Sequence, residues 1–203
     1  MGGNGAAGRL DPVSPDNAVL LLVDQQEGLF SRIHDADRTR RNLAALARCA
    51  QLLQIPVVLT TALAEGPNGP LLADLADALP GQSIIDRTLI NAWQDRRVHD
   101  AITRTGRRKV LIAGTGFDVC AQLPALTCAA EGYHAYVVID ACGRFEPEPS
   151  VATISRLAQA GVALVTTRVL VLEAMADNAH PKASEIYAIL PAGLVVMEDT
   201  GAK

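Results

Sequence analysis

Aromatic side chains are scarce in this chain: one tryptophan, three tyrosines and three phenylalanines among 203 residues. Nucleic-acid grooves need stacking platforms and positive charge. Here 22 acidic side chains outnumber 18 basic ones, leaving a formal net charge of -4, so no nucleic-acid partner is expected. No apolar run approaches the ~20 residues that span a bilayer, and no membrane association is expected. The opening Met1–Gly8 has neither the basic start nor the apolar stretch of a secretion signal. Cysteine is sparse too. Cys49, Cys120, Cys128 and Cys142 are widely spaced with no CxxC pair, which argues against a zinc knuckle or a disulfide framework. A reduced, cytoplasmic protein is the expectation. His34, His99, His134 and His180 stand apart without ligand spacing, so neither metal nor other cofactor is expected.

What is present is apolar and regularly punctuated. Hydrophobic residues make up 49% and charged residues 20%, the balance of a globular chain. Residues 1–12 read as a flexible lead-in and 13–203 as one domain. Ala18–Val23 is a continuous apolar run, too short for a helix and without alternation, so it reads as a strand buried on both faces. Similar runs follow at Pro56–Thr61, Lys109–Gly114, Ala135–Asp140 and Val162–Thr166, with a weaker one at Ser83–Asp86. Between them lie helical patterns. Asp37–Gln54 places Leu43, Leu46, Ala47, Ala50 and Leu53 on one face, and Gln94–Thr105 and Asp118–Glu131 follow. Ser150–Ala160 is bracketed by Pro149 and Gly161, and Leu170–Asn178 and Pro181–Ile189 are shorter. Strands and helices alternating at this spacing predict right-handed crossovers and a mostly parallel sheet covered on both faces.

In such sheets the ligand crevice lies beyond the carboxyl ends of the strands, at the point where strand order reverses. Asp24 ends the first strand, Arg87 follows the third, and Cys120 follows the fourth, where a strand runs into a helix. A helix N-terminus favours negative charge and eases ionisation of a thiol. A carboxylate that can take the thiol proton, beside a cation that stabilises the anion, is a workable nucleophile site. The three converge if the third and fourth strands flank the reversal. Taken singly, each has a bland reading: a buried cysteine, a capping carboxylate, a solvated charge. Gly114-x-Gly116 is a weak dinucleotide signal, because position 119 is valine rather than the third glycine.

These residues also resemble a known family. Leu-Leu-Val-Asp24-Gln-Gln with Gly28-Leu29, followed by Gly114-x-x-x-Asp118-Val119-Cys120, is similar to the isochorismatase-like cysteine hydrolases. Thr60-Thr61, Glu65-Gly-Pro-Asn-Gly-Pro70, Arg87 with Ile90-Asn91-Ala92-Trp93, and Asp140-Ala141 resemble its YcaC-like branch. The likeness runs from about Ala18 to Thr166. It implies a three-layer α/β/α sandwich around a six-stranded, mostly parallel sheet, and places the catalytic Asp, basic residue and nucleophilic Cys at Asp24, Arg87 and Cys120. It also implies a cis peptide at Thr115–Gly116, with the amides of Gly116 and Cys120 as oxyanion hole. Gln26, Phe30, Asn91, Trp93 and Phe117 are candidates for the substrate pocket.

The chain departs from the family pattern in places. Arg87 stands where many members carry lysine, and Thr115-Gly116-Phe117 replaces a Val-Ala-Thr-like elbow. The nicotinamidase metal cluster has no counterpart in Thr61-Ala-Leu-Ala-Glu-Gly66. The implied activity is hydrolysis of a small amide or related C–N bond through an acyl-thioester. The alternatives are a non-catalytic binding or scaffolding oligomer that keeps the thiol pocket, and a redox-responsive thiol. Homo-oligomers are expected from the resemblance and from the apolar segment Leu190–Met197.

Overall fold

Six apolar runs become six strands, all parallel, in the order β3-β2-β1-β4-β5-β6. The computed structural model describes residues 11–147 and 150–190. The strands are β1 (Ala18–Val23), β2 (Val57–Ala62), β3 (Ile84–Arg87), β4 (Lys109–Gly114), β5 (His134–Val138) and β6 (Ala163–Val165). β1 and β4 are the central pair, and every residue of both is buried. That is why neither sequence shows alternation.

The helices are α1 (Glu27–Phe30), α2 (Ala36–Leu52), α3 (Ala73–Ala78), α4 (Arg96–Arg104), α5 (Gln122–Ala130), α6 (Val151–Gln159), α7 (Thr167–Met175) and α8 (Ala183–Ile189). α2 packs against α3, α7 and α8 on one face, while α5 packs against α6 and, with α4, against the 3-10 turn Ala92–Gln94. The result is the expected three-layer α/β/α sandwich, with the sheet wholly rather than mostly parallel. The apolar stripe of α2 is buried as its spacing predicts: Leu43, Leu46, Ala47, Ala50 and Leu53 are all in the core.

Some boundaries move. The expected strand Ala135–Asp140 stops at Val138, and Ile139–Ala141 is a 3-10 turn. Asp140 is instead recruited as an acceptor: its Oδ1 takes the Thr167 amide at 2.7 Å and the Thr167 hydroxyl at 2.9 Å, fixing the start of α7. The four-residue α1 and six-residue α3 are not foreseen, because neither is long enough to display a helical period. Gly161 closes α6 with φ +77°, the left-handed stop its position predicts. Pro149 and residues 191–203 lie outside the described residues, and with them most of the apolar segment Leu190–Met197. Among the described residues no helix is long and apolar enough to cross a membrane.

Candidate active site

Strand order reverses between β1 and β4, since β1 leads outward to β2 and β3 while β4 leads to β5 and β6. The carboxyl ends of these strands deliver Asp24, Arg87 and Cys120 to one crevice. Asp24 directly follows β1 with φ +57°, a left-handed value uncommon outside glycine. Its amide is held by the Thr60 carbonyl at 2.9 Å. The carboxylate is buried, and Arg87 Nη2 donates to both its oxygens at 2.7 Å. Arg87 Nη1 donates to the carbonyls of Leu89 and Ile90, whereas its buried Nε has no partner among the described residues.

Cys120 lies in the π-helical turn Phe117–Ala121 that precedes α5, and the residue is half-buried. Thiol and Asp24 carboxylate are neighbours, each altering the other's proton affinity. Burial, then the adjacent Asp24 carboxylate, pushes the Cys120 thiol upward, with Arg87 opposing weakly. Burial likewise raises Asp24, and the Arg87 guanidinium pulls in the other direction. This corrects the expectation of an easily formed thiolate. Cys120 is the fourth residue of its turn, and its N–H is already bonded to the Gly116 carbonyl at 2.7 Å. Little free dipole remains to offset desolvation beside an anion. Burial thus raises the proton affinity of both the thiol and the neighbouring carboxylate.

The elbow departs from expectation as well. The Thr115–Gly116 peptide is trans; no peptide among the described residues is cis. Gly116 turns with φ +93°, and a Cβ there would stand 3.3 Å from Cys120 Sγ and 3.5 Å from Phe145 Cε2. Glycine is thus needed both for the backbone angle and to leave room for the thiol. In this turn the Gly116 and Phe117 amides both donate to the Gly143 carbonyl, at 3.0 and 2.8 Å. With Cys120 N–H bonded to Gly116, the two expected oxyanion donors are both occupied, so the hole is not formed in this conformation.

The five candidate pocket residues all make contacts within the chain. Gln26 Oε1 accepts from the Ala62 amide at 2.8 Å, and its Nε2 donates to the carbonyls of Ala62 and Gly69, so it clamps the loop after β2. Asn91 caps the turn Ala92–Gln94 through the Trp93 amide and donates to the Thr127 hydroxyl at 2.8 Å. Trp93 is buried edge-on to His99 and Tyr133, and Phe30 is buried beneath the Arg40 guanidinium. Phe117 is buried and faces a different cavity. Gln26 and Asn91 are hydrogen-bonded within the chain, whereas the buried Trp93 Nε1 has no partner among the described residues.

Two features went unread in the sequence. Gln25 is completely buried; its Oε1 accepts from the Thr115 hydroxyl at 2.8 Å, tying the end of β1 to the elbow, while its Nε2 is unpartnered among the described residues. Its adjacency to Asp24 was the available signal. The apolar side chains Leu63, Leu89, Ile90, Val119 and Phe145 are exposed in the segments flanking Arg87 and Cys120. The Leu63 amide bonds the Arg87 carbonyl at 3.1 Å, and Phe145 lies against Gly116. Hydrophobic residues in the connections that leave the carboxyl ends of β2, β3, β4 and β5 were the sign. Among the described residues no group of three or more His, Cys, Asp or Glu side chains is gathered as a metal would require.

Comparison with known proteins places this geometry. Residues 18–169 match the isochorismatase domain model. The probable hydrolase YcaC of Escherichia coli K12 is 38% identical over 154 residues, 74% of each chain. Isochorismatase domain-containing protein 2B of Mus musculus is 31% identical over 186 residues, covering 91% of this chain and 86% of that one. The crystal structure of E. coli YcaC, described as an octameric hydrolase of unknown specificity, superposes with a TM-score of 0.83 at 33% identity, covering 88% of this chain and 90% of that one. YcaC from Pseudomonas aeruginosa, solved with hexane-2,5-diol and covalent acrylamide, gives a TM-score of 0.84 at 34% identity over 89% of this chain and 90% of that one. The domain match, these identities and the shared parallel sheet make the chain an isochorismatase-family hydrolase of the YcaC-like branch.

Proposed function

We propose that the chain hydrolyses a small, neutral amide or related C–N bond through an acyl-thioester on Cys120. The observation that carries this reading is the meeting of Cys120, Asp24 and Arg87 at the strand reversal. Asp24 accepts the thiol proton as Sγ bonds to the substrate carbonyl carbon, and the carbonyl π electrons move to oxygen. Collapse of that oxyanion expels the amine, which takes the proton back from Asp24. Water then adds to the thioester while Asp24 takes its proton, and the second collapse releases the acid and returns the proton to sulfur. Burial of Asp24 suits the abstraction steps, because a carboxylate with raised proton affinity is a better base. A guanidinium does not shuttle protons, so the role of Arg87 is electrostatic, through its paired contact with the Asp24 carboxylate.

The Gly116 and Cys120 amides join as oxyanion donors only if the elbow turns when substrate binds, since both are bonded within the chain at rest. That observation also favours the second reading, a binding oligomer that keeps the thiol without turnover. A redox role has less support: a thiol held protonated reacts slowly with peroxide. The exposed apolar rim of Leu63, Leu89, Ile90, Val119 and Phe145 fits an uncharged substrate.

Ammonia release from a panel of small amides and ureides, with Cys120→Ala as control, tests the proposal. Release by the native chain that is absent in the variant is expected; no release across the panel, with the protein folded, favours the binding reading. Acrylamide, covalently present in the Pseudomonas YcaC structure, is a second probe. It should modify Cys120 ahead of Cys49, Cys128 and Cys142, which are buried in the core. Equal modification of all four on native protein would count against a special thiol. We further infer self-association, as in the octameric E. coli relative; sedimentation as a monomer would overturn it.

A further inference from the structure

A cavity of about 210 Å³ is lined in part by Phe117 of the elbow. Phe117, Ile139, Ile154 and Leu164 supply apolar wall, together with the buried Cys142. An apolar cavity of about 150 Å³ holds one benzene ring, so this volume suits a single ring with a small substituent. The charged wall is uneven. Asp140 is engaged by Thr167 through two hydrogen bonds, and Asp35 stands 3.9 Å from Arg38. Arg144 donates from Nη1 to the Pro147 carbonyl at 3.0 Å, and its guanidinium has no carboxylate within ion-pair range among the described residues. The wall's two carboxylates and two guanidiniums balance in formal charge, and Arg144 is the cation among them without an ion-pair partner among the described residues.

We propose that this cavity is a binding site for a small aromatic monocarboxylate, its ring against Phe117, Ile154 and Leu164 and its carboxylate on Arg144. The site is built into the same segment that restrains the elbow. Gly143, between Cys142 and Arg144, supplies the carbonyl that holds the Gly116 and Phe117 amides. An occupant that presses on Phe117 or draws Arg144 inward acts directly on those two bonds. Occupancy therefore alters how readily the elbow frees its amides, and with them the reactivity of Cys120.

Calorimetric titration of full-length Cys120→Ala with benzoate tests the site, because that background removes any reaction at the thiol. Saturable one-site binding is expected, weakened about tenfold by Arg144→Gln and by replacing benzoate with benzamide. Leu164→Trp, which fills the cavity, should abolish it. Should that variant not fold, the arginine variant and the benzamide comparison still decide the matter. Absence of saturable binding, or affinity indifferent to both Arg144→Gln and loss of the carboxylate, overturns the proposal. In the native chain, saturating benzoate should change the iodoacetamide labelling rate of Cys120 by about threefold or more, an effect lost in Arg144→Gln. An unchanged rate with benzoate bound would refute the coupling. The binding arms do not depend on whether the chain turns over an amide.

Discussion

Two buried cations mark opposite ends of the sheet. Lys109 opens β4 at the amino edge, and its Nζ donates to the carbonyls of Asp11 and Pro12 at 2.6 Å each and to Asp11 Oδ2 at 2.8 Å. With three donors and three acceptors, it is complete, and it fastens the chain segment that leads into β1. Arg87 closes β3 at the carboxyl edge, pinned by the Asp24 carboxylate and two main-chain carbonyls, yet it keeps a buried Nε–H with nothing to bond. A fully satisfied buried charge can only hold a structure. An incompletely satisfied one, beside a thiol and a buried carboxylate, keeps an unused donor at the site. The contrast separates scaffold from site without reference to any relative.

The largest effect that sharpens the contrast is at the thiol. Cys120→Ala should lower turnover by roughly 10⁴-fold or more, with its thermal melting midpoint close to that of the native chain; a small loss of rate would show that another group is the nucleophile. Next is the pair at the carboxyl edge. Asp24→Ala leaves Arg87 buried and unpaired, and should cost about 3–5 kcal/mol of stability in urea titration along with the activity. At the amino edge Lys109→Met should cost less, about 1–3 kcal/mol for the acceptors left behind, and leave kcat unchanged. A kcat that falls with Lys109→Met would break the distinction between the two cations.

The smallest effects are in pH. Asp24 binds its proton more tightly in the folded chain than in the unfolded one, so the native state is favoured at low pH. That contribution is lost as pH rises from 3.8 through the raised folded value. The acid limb of kcat/KM should consequently lie above that of an ordinary aspartate, and vanish from the profile in Asp24→Asn along with most of the rate. Burial lifts Cys49, Cys128 and Cys142 from 9.0 to about 12, so the unfolded chain releases thiol protons first and stability falls above pH 9. The expected loss at pH 10 is about 1 kcal/mol per buried thiol, visible as a shift in urea midpoint that Cys49→Ala reduces.

Much of the fold was legible because strands buried on both faces must be continuously apolar, as Ala18–Val23 and Lys109–Gly114 are. The convergence of Asp24, Arg87 and Cys120 was legible only as a condition, since the reversal between β1 and β4 depends on which strands pair. The roles of Gln26 and Asn91 were not legible. A buried amide looks the same in sequence whether it faces a ligand or clamps a backbone, and its partners, Ala62, Gly69 and Thr127, are 36 to 43 residues distant. The cavity behind Phe117 was invisible for the same reason: its wall is drawn from α2, the elbow, the turn after β5, α6 and β6.

The amino-acid sequence by itself determined the parallel α/β class and the residue types at the three strand ends, because periodicity and burial are local consequences of composition. Tertiary structure alone decided the state of the site. Burial and the neighbouring Asp24 raise the proton affinity of the Cys120 thiol, the elbow amides are occupied by Gly143 and Gly116, and the Arg87 Nε has no partner among the described residues. Each of these follows from desolvation and from hydrogen bonds between distant segments, and those quantities exist only once the sheet has brought the segments together.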